Sequence, residues 1–186
     1  MNEFSWKIQL IMGPMFSGKS TELLRRINRF KIAKKVCVLV KYINDNRYDK
    51  NNICTHDQKK TEAFSCKTLS EIPKTVLDSA DVIGIDEGQF FSDIVEFSDL
   101  WADKGKIVII SALDGTYKKE PFPVIAKLIP KCEGITKLFA VCMLCGKDAS
   151  FSKRLTTEEG DEIIGGIEKY ISVCRTCYNK TIEKKD

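Results

Sequence analysis

A glycine-rich segment near the beginning of the chain constrains the fold more than any other feature of the sequence. It reads GPMFSGKS from Gly13 to Ser20 and fits the pattern G-x4-G-K-S. An apolar run at 8–12 precedes it, and apolar residues at helical spacing follow it from Leu23 onward. In a strand–turn–helix of this kind, backbone N–H groups and the helix dipole bind phosphate oxygens. The segment therefore predicts an α/β domain with a phosphate-binding turn, and its context argues against a chance Gly/Lys turn.

Every residue of this turn has an expected role if the phosphate belongs to a nucleotide. Lys19 is expected to reach the β- and γ-phosphates of ATP, and the Ser20 hydroxyl is expected to ligate Mg²⁺. The other positions are expected to contact the ATP phosphates: Gly13, Pro14, Met15, Phe16, Ser17 and Gly18.

Five short apolar runs are spaced along the chain, with longer segments between them. They occupy residues 8–12, 36–40, 82–85, 107–110 and 138–141. The runs are continuous in apolar residues rather than alternating, which is typical of parallel strands covered on both faces. The predicted fold class is therefore α/β, with a P-loop NTPase-like (RecA-like) parallel sheet.

Two adjacent acids follow the third of these runs. Asp86 is expected to hold the metal, directly or through water. Glu87 follows at the edge where parallel sheets bind ligands, so it is the candidate general base. Such a base activates water in an ATPase and an acceptor hydroxyl in a kinase. Phe90 and Phe91 weakly favour the kinase, because aromatic rings suit a pocket for a flat acceptor, with ordinary core packing as the equal alternative.

Eight cysteines are an unusual number for this chain of 186 residues. Four of them form two C-x-x-C pairs, Cys142 with Cys145 and Cys174 with Cys177. Two such pairs supply four thiolates to a tetrahedral Zn²⁺ with no open position, so the predicted metal is structural. The remaining thiols have no ligand spacing and are interpreted as buried or incidental: Cys37, Cys54, Cys66 and Cys132.

A change in composition near residue 141 predicts the domain organisation. An ATP-binding α/β domain is expected at 1–141, a small zinc-binding domain at 142–178 and a charged tail at 179–186. Between the cysteine pairs the chain could form a lid over the sheet edge or a simple hairpin, and both interpretations stay open. A polar loop is expected at 44–60, in which Arg47 either approaches phosphate or lies in solvent.

The charge and the apolar content of the chain argue against nucleic acid and against a membrane as partners. The 30 Lys and Arg residues exceed the 26 Asp and Glu residues by only four, and both signs are interleaved. We therefore expect no nucleic-acid partner. The chain begins without a signal-peptide pattern, and no run approaches the ~20 apolar residues that span a bilayer. We expect no membrane partner and a cytoplasmic location, where paired cysteines more often bind metal than form disulfides.

Four motifs together resemble those of one enzyme family. They are the turn at 13–20, the DEGQFF segment at 86–91, the LDGT segment at 113–116 and the segment from Cys142 to Cys177. In order and spacing they resemble the type II thymidine kinases, a group that includes animal cytosolic and poxvirus enzymes. The resemblance covers about residues 7–178. It implies transfer of the γ-phosphoryl group of ATP to the 5′-hydroxyl of thymidine or deoxyuridine, in nucleoside salvage for DNA synthesis.

The resemblance also implies roles for individual residues. Glu87 would be the base, and Ser20 and Asp86 would serve magnesium. Other ATP contacts are implied for Asp45, Asn46, Arg47, Gly88 and Gln89. The thymine pocket would be lined by Met15, Phe90, Leu113, Tyr117, Phe122 and Ser152. On a zinc-binding lasso, main-chain contacts to the base are implied for Ile163, Ile164 and Gly165, with Tyr170 following.

The family further implies a homotetramer and feedback inhibition by thymidine triphosphate. Two positions depart from its pattern: Tyr117 stands where many relatives have Phe, and Ser152 stands where animal enzymes have Thr. Both changes could alter pyrimidine preference. The competing hypothesis is a nucleic-acid-dependent P-loop ATPase that uses the zinc module for binding. Against it, the zinc segment lacks a basic stripe with interleaved aromatic residues.

Overall fold

A computed structural model of the protein describes residues 7–43, 52–54, 60–155 and 169–180. The strands are β1 (Ile8–Gly13), β2 (Cys37–Tyr42), β3 (Asn52–Cys54), β4 (Lys60–Glu62), β5 (Phe64–Cys66), β6 (Val82–Ile85), β7 (Ile107–Leu113), β8 (Gly134–Lys137), β9 (Ala140–Val141), β10 (Asp148–Ala149), β11 (Phe151–Arg154) and β12 (Tyr170–Val173). The helices are α1 (Lys19–Ile32), α2 (Lys74–Ser79), α3 (Ile94–Asp103), α4 (Pro123–Leu128) and α5 (Arg175–Tyr178). None of these helices has the length and apolar character needed to cross a membrane.

The central sheet contains six parallel strands in the order β5-β2-β6-β7-β1-β8. Four of the predicted apolar runs overlap its strands β1, β2, β6 and β7. Helix α1 packs on one face, and α2, α3 and α4 pack on the other. Because both faces are covered, the strand sequences are apolar without alternation. The predicted α/β class with a parallel sheet is confirmed.

The sheet edge beside β1 differs from the prediction. Strand β8 forms this edge, and the predicted run at 138–141 lies beyond it. Periodicity missed β8 because this edge strand includes the half-buried Thr136 and the exposed Lys137, and so has no continuous apolar run. Ala140 and Val141 instead form β9, which pairs antiparallel with β10.

Helix α1 carries a buried charge, because Arg26 is only 7% exposed. Its guanidinium donates to Glu22 Oε1 at 2.8 Å, to Gln9 Oε1 at 3.0 Å and to Thr136 Oγ1 at 2.9 Å. Three partners from α1, β1 and β8 therefore satisfy a buried charge, as burial of an ionised group requires. The network joins the helix after the glycine-rich turn to the strand before it.

This network gives the folded state a defined pH dependence. Hydrogen bonds from Arg25 and Arg26 hold the pKa of Glu22 at about 2, below its usual 4.5. A lowered carboxyl pKa stabilises the fold above pH 4.5, and this contribution is lost as the pH falls through the folded value near 2. We expect Glu22→Gln to lower the free energy of unfolding by about 1 kcal/mol at pH 7, after screening of the partly exposed carboxylate. In urea titrations the difference from the unaltered protein should narrow as the pH falls from 5 towards 2; a pH-independent difference would contradict the assignment.

Residues 140–155 and 169–180 build a smaller unit, called the cysteine module below. Strand β9 pairs with β10, and β11 pairs with β12, both antiparallel. The short helix α5 follows β12 and contacts both β11 and β12. The module has its own apolar core, formed by Ala140, Cys142, Ala149, Ile171, Val173 and Cys177.

Candidate active site

The glycine-rich turn, called the phosphate loop below (residues 13–20), connects β1 to α1. Gly18 has a left-handed backbone with φ 80°, and Phe16 adopts the same region with φ 64°. A side chain at Gly13 would place its Cβ 2.5 Å from the carbonyl oxygen of Leu138, so only glycine fits there. The turn therefore has the backbone that the motif predicts, with a helix beginning at Lys19.

Lys19 folds back over the phosphate loop. Its Nζ donates to the Pro14 carbonyl oxygen at 2.7 Å, and the Ser17 hydroxyl donates to the same oxygen at 2.8 Å. Lys19 is buried, so its positive charge lies against the loop rather than in bulk solvent. This places the amine beside the backbone expected to wrap phosphate.

Asp86 is the polar centre of the site and is only 6% exposed. Its Oδ1 accepts from the Ser20 hydroxyl at 3.0 Å, from the backbone N–H of Glu87 at 3.1 Å and from the Ser111 hydroxyl. The structure thus brings together the two residues predicted for magnesium. A hydroxyl and a carboxylate are hard oxygen donors that fit Mg²⁺.

Ser111 is a site residue that the sequence analysis missed. It lies in β7, between the strands that lead to the phosphate loop and to the acids, and is buried. The sequence signal that could have identified Ser111 is its position as the lone hydroxyl in the apolar strand Ile107–Leu113. A buried polar group requires a hydrogen-bond partner, which here is Asp86.

Glu87 has a left-handed backbone with φ 55° and ψ 43°, which is uncommon for a residue with a side chain. Its carboxylate Oε2 accepts from Gln89 Nε2 at 2.5 Å. Gln89 is 5% exposed, and its Oε1 accepts from the backbone N–H of Leu113 at 3.0 Å. Gln89 was predicted to contact ATP; in the structure its side chain joins the candidate base to the end of β7.

The two phenylalanines after the acids have different environments. Phe91 is fully buried and belongs to the main core. Phe90 is half-buried, and its ring centroid lies 5.3 Å from that of Tyr42. Core packing therefore explains Phe91, while Phe90 remains available to line a pocket. Phe122, directly before α4, is buried in the main core. Leu113, the last residue of β7, packs against the same core.

Tyr117 and Tyr170, both predicted to bind the nucleoside, are joined by Arg154. The Arg154 guanidinium lies 3.8 Å from the centroid of the Tyr117 ring, and its Nη2 donates to the Tyr170 hydroxyl at 2.9 Å. The Tyr178 hydroxyl donates to the Tyr117 carbonyl oxygen at 2.6 Å. The loop before α4 is thus held against the cysteine module. Arg154 had no sequence signal, because stacking partners depend on tertiary packing.

The predicted zinc ligands Cys142, Cys145, Cys174 and Cys177 meet in one cluster. Their four sulfur atoms all lie within 4.8 Å of one another. Burial acts to raise the pKa of Cys142, but backbone N–H groups of Cys174 and Leu144 favour its thiolate and hold the pKa at about 6. Four converging thiols fit a tetrahedral Zn²⁺.

Burial favours the protonated form of two of the remaining thiols. Burial raises the pKa of Cys66 and of Cys132 to about 12. Thiols that stay protonated are poor nucleophiles and metal ligands. This agrees with the interpretation of both as buried or incidental thiols, since Cys66 is buried and Cys132 is half-buried.

Several predicted site residues lie outside the described residues: Asp45, Asn46, Arg47, Ile163, Ile164 and Gly165. Their expected contacts with ATP and with the base stay predictions. The described part of the candidate site consists of the phosphate loop, the acids after β6, the end of β7 and the residues of the cysteine module that contact the phosphate loop and Tyr117.

The family model and the relatives to which this chain is similar carry the same name. A family model described as thymidine kinase matches residues 6–178. Thymidine kinase 1 of Dictyostelium discoideum is 54% identical over 183 residues, covering 96% of this chain and 80% of the relative. A thymidine kinase of Variola virus is 58% identical over 171 residues, covering 92% and 96%. The human protein named thymidine kinase, cytosolic is 53% identical over 174 residues, covering 94% and 74%.

Proposed function

The chain belongs to the thymidine kinase family, and from this premise we propose that it transfers the γ-phosphoryl group of ATP to the 5′-hydroxyl of thymidine. The observation that carries the proposal is the meeting of three groups at the carboxyl edge of one parallel sheet. These are the phosphate loop, the buried Asp86 bonded to Ser20, and Glu87 held by Gln89. Ligands bind at this edge in open α/β sheets.

In the proposed reaction, Glu87 is the general base. Its carboxylate accepts the proton of the 5′-hydroxyl as that oxygen attacks the γ-phosphorus, and the bond to the β-phosphate oxygen breaks to release ADP. Gln89 keeps the carboxylate in place through its 2.5 Å hydrogen bond. Lys19 and the backbone of the phosphate loop stabilise the charge on the phosphates. Magnesium, held by Ser20 and Asp86, would neutralise phosphate charge when bound.

The thymine pocket is proposed to lie between the sheet edge and the cysteine module. The described residues proposed to line it are Met15, Phe90, Leu113, Tyr117, Phe122, Ser152 and Tyr170. Support comes from Tyr117 and Tyr170, which share Arg154 across the two units. The four-cysteine cluster is proposed to hold a structural Zn²⁺ that fixes the fold of the module.

Four finer properties follow from family membership and are proposals for this chain. We propose that deoxyuridine is a second substrate and that thymidine triphosphate is a feedback inhibitor. We also propose a homotetramer and a cytoplasmic location, the latter because a similar human protein is named cytosolic.

A phosphorylation screen tests the proposed reaction. Purified protein with Mg²⁺ and γ-labelled ATP should transfer label to thymidine and deoxyuridine, and much less to deoxycytidine and uridine. Lys19→Ala is the matched control, because it removes the phosphate-binding amine and should abolish transfer while the fold is retained. ATP hydrolysis stimulated by nucleic acid, without labelled nucleoside, would instead favour the ATPase hypothesis.

A further inference from the structure

The cysteine module touches the phosphate loop through a buried hydrogen bond. The backbone N–H of Met15 donates to the Ser152 hydroxyl at 3.0 Å, across 137 positions of sequence. Ser152 lies in β11 and is only 6% exposed. The backbone N–H of Met15 in the phosphate loop is therefore hydrogen-bonded to a side chain of the cysteine module.

A second contact lies at the next residue of the loop. Phe16 packs against the core of the cysteine module, which includes the thiols Cys142 and Cys177. Its backbone is in the left-handed region, with φ 64°. Such a conformation costs free energy for a residue with a side chain and persists where the surroundings hold it. Packing on the module supplies that support.

The two contacts lie within the segment 14–19, whose polar groups also bond to one another. Pro14 has no N–H to donate, and its carbonyl oxygen accepts from both Lys19 and Ser17. The orientation of this carbonyl is set by the peptide that joins Pro14 to Met15, whose N–H is the one bonded to Ser152. The serine therefore fixes the peptide plane against which the phosphate-binding amine rests.

We propose that Ser152 is a positioning residue of the phosphate loop, and that its hydroxyl, with the packing of Phe16, makes ATP affinity depend on the cysteine module. This role is distinct from a contact with the thymine base. The proposed role of Ser152 rests on one part of the proposed function, namely that ATP binds at the phosphate loop. A loop held in its binding conformation loses less entropy when the ligand binds, which is the physical basis of the dependence.

The test measures ATP affinity by calorimetric titration with Mg²⁺ and without nucleoside. Ser152→Ala leaves the buried N–H of Met15 without its partner, so we expect ATP affinity to fall about tenfold, the size expected for loss of a buried hydrogen bond. Ser152→Thr keeps the hydroxyl and should bind ATP nearly as tightly as the unaltered protein. Phe16→Ala should also weaken ATP binding, through the second contact.

Ser172→Ala is the matched control for general loosening of the module. Ser172 faces Ser152 in the β11–β12 register and is also buried, but its hydroxyl donates to the Val141 carbonyl oxygen inside the module at 2.7 Å. ATP affinity should stay unchanged in this variant, and zinc content should be equal in all variants.

Two outcomes would overturn the proposal. In the first, Ser152→Ala changes the KM for thymidine but not ATP affinity, which would limit the residue to the base pocket. In the second, Ser172→Ala weakens ATP binding as much as Ser152→Ala does. Lower stability of the cysteine module, rather than loss of the bond to Met15, would then explain the weaker binding. Failure of the kinase reaction itself would appear separately, as absent thymidine phosphorylation by unaltered protein that still binds ATP.

Discussion

Replacing Glu87 by glutamine is expected to lower kcat by about 10²–10⁴-fold, the usual contribution of a general base. The amide that replaces the carboxylate cannot accept the proton of the attacking hydroxyl. ATP affinity should be nearly unchanged, because the phosphates are bound by the phosphate loop and Lys19 rather than by this side chain. Steady-state kinetics together with an ATP titration separate the two quantities.

Glu87→Gln is expected to remove the base while leaving the surrounding hydrogen bonds in place. A glutamine at position 87 keeps a carbonyl oxygen that can accept from Gln89, so the connection through Gln89 to Leu113 can persist. Glu87→Asp is the complementary variant, because it keeps the charge but shortens the side chain and draws the carboxylate away from Gln89. It should retain more activity than Glu87→Gln. Near-normal turnover of the glutamine variant would remove Glu87 from the role of base.

Replacing Cys177 by serine is expected to remove zinc and to unfold the cysteine module. Cys177 is one of the four clustered thiols and is also buried in the core of the module. Zinc bound by four thiolates supplies folding free energy on the order of 10 kcal/mol in small domains. A loss of even about 4 kcal/mol would lower the melting temperature of a chain of this size by roughly 10 °C. Metal analysis should show about one zinc per chain before the substitution and little after it.

Cys37→Ser is the control for this experiment. Cys37 is a partly buried thiol of β2, in the central sheet rather than in the cluster. Its replacement should leave the zinc content unchanged and the melting temperature nearly so. Equal zinc content in the Cys177 and Cys37 variants would contradict the assignment of the cluster. An unaltered protein with far less than one zinc per chain would contradict it as well.

Much of the site could be predicted from the sequence because its chemistry depends on local spacing. The phosphate loop requires glycines, a lysine and a hydroxyl at fixed offsets between a strand and a helix, and residues 13–20 have them. Asp86 follows an apolar strand directly, so its place at the sheet edge follows from strand direction alone. The spacing of the two C-x-x-C pairs likewise predicts the four thiols that cluster in the structure.

The sequence by itself therefore determined the parallel α/β class, the phosphate loop, the adjacent acids and the four-thiol cluster. The tertiary structure decided what holds these groups in position. Packing of β7 beside β6 brought Ser111 to Asp86, and packing of β11 on the phosphate loop brought Ser152 to Met15. The physical reason is distance along the chain: local spacing fixes which groups a short segment presents, whereas a contact across 137 positions exists only once the units have packed together.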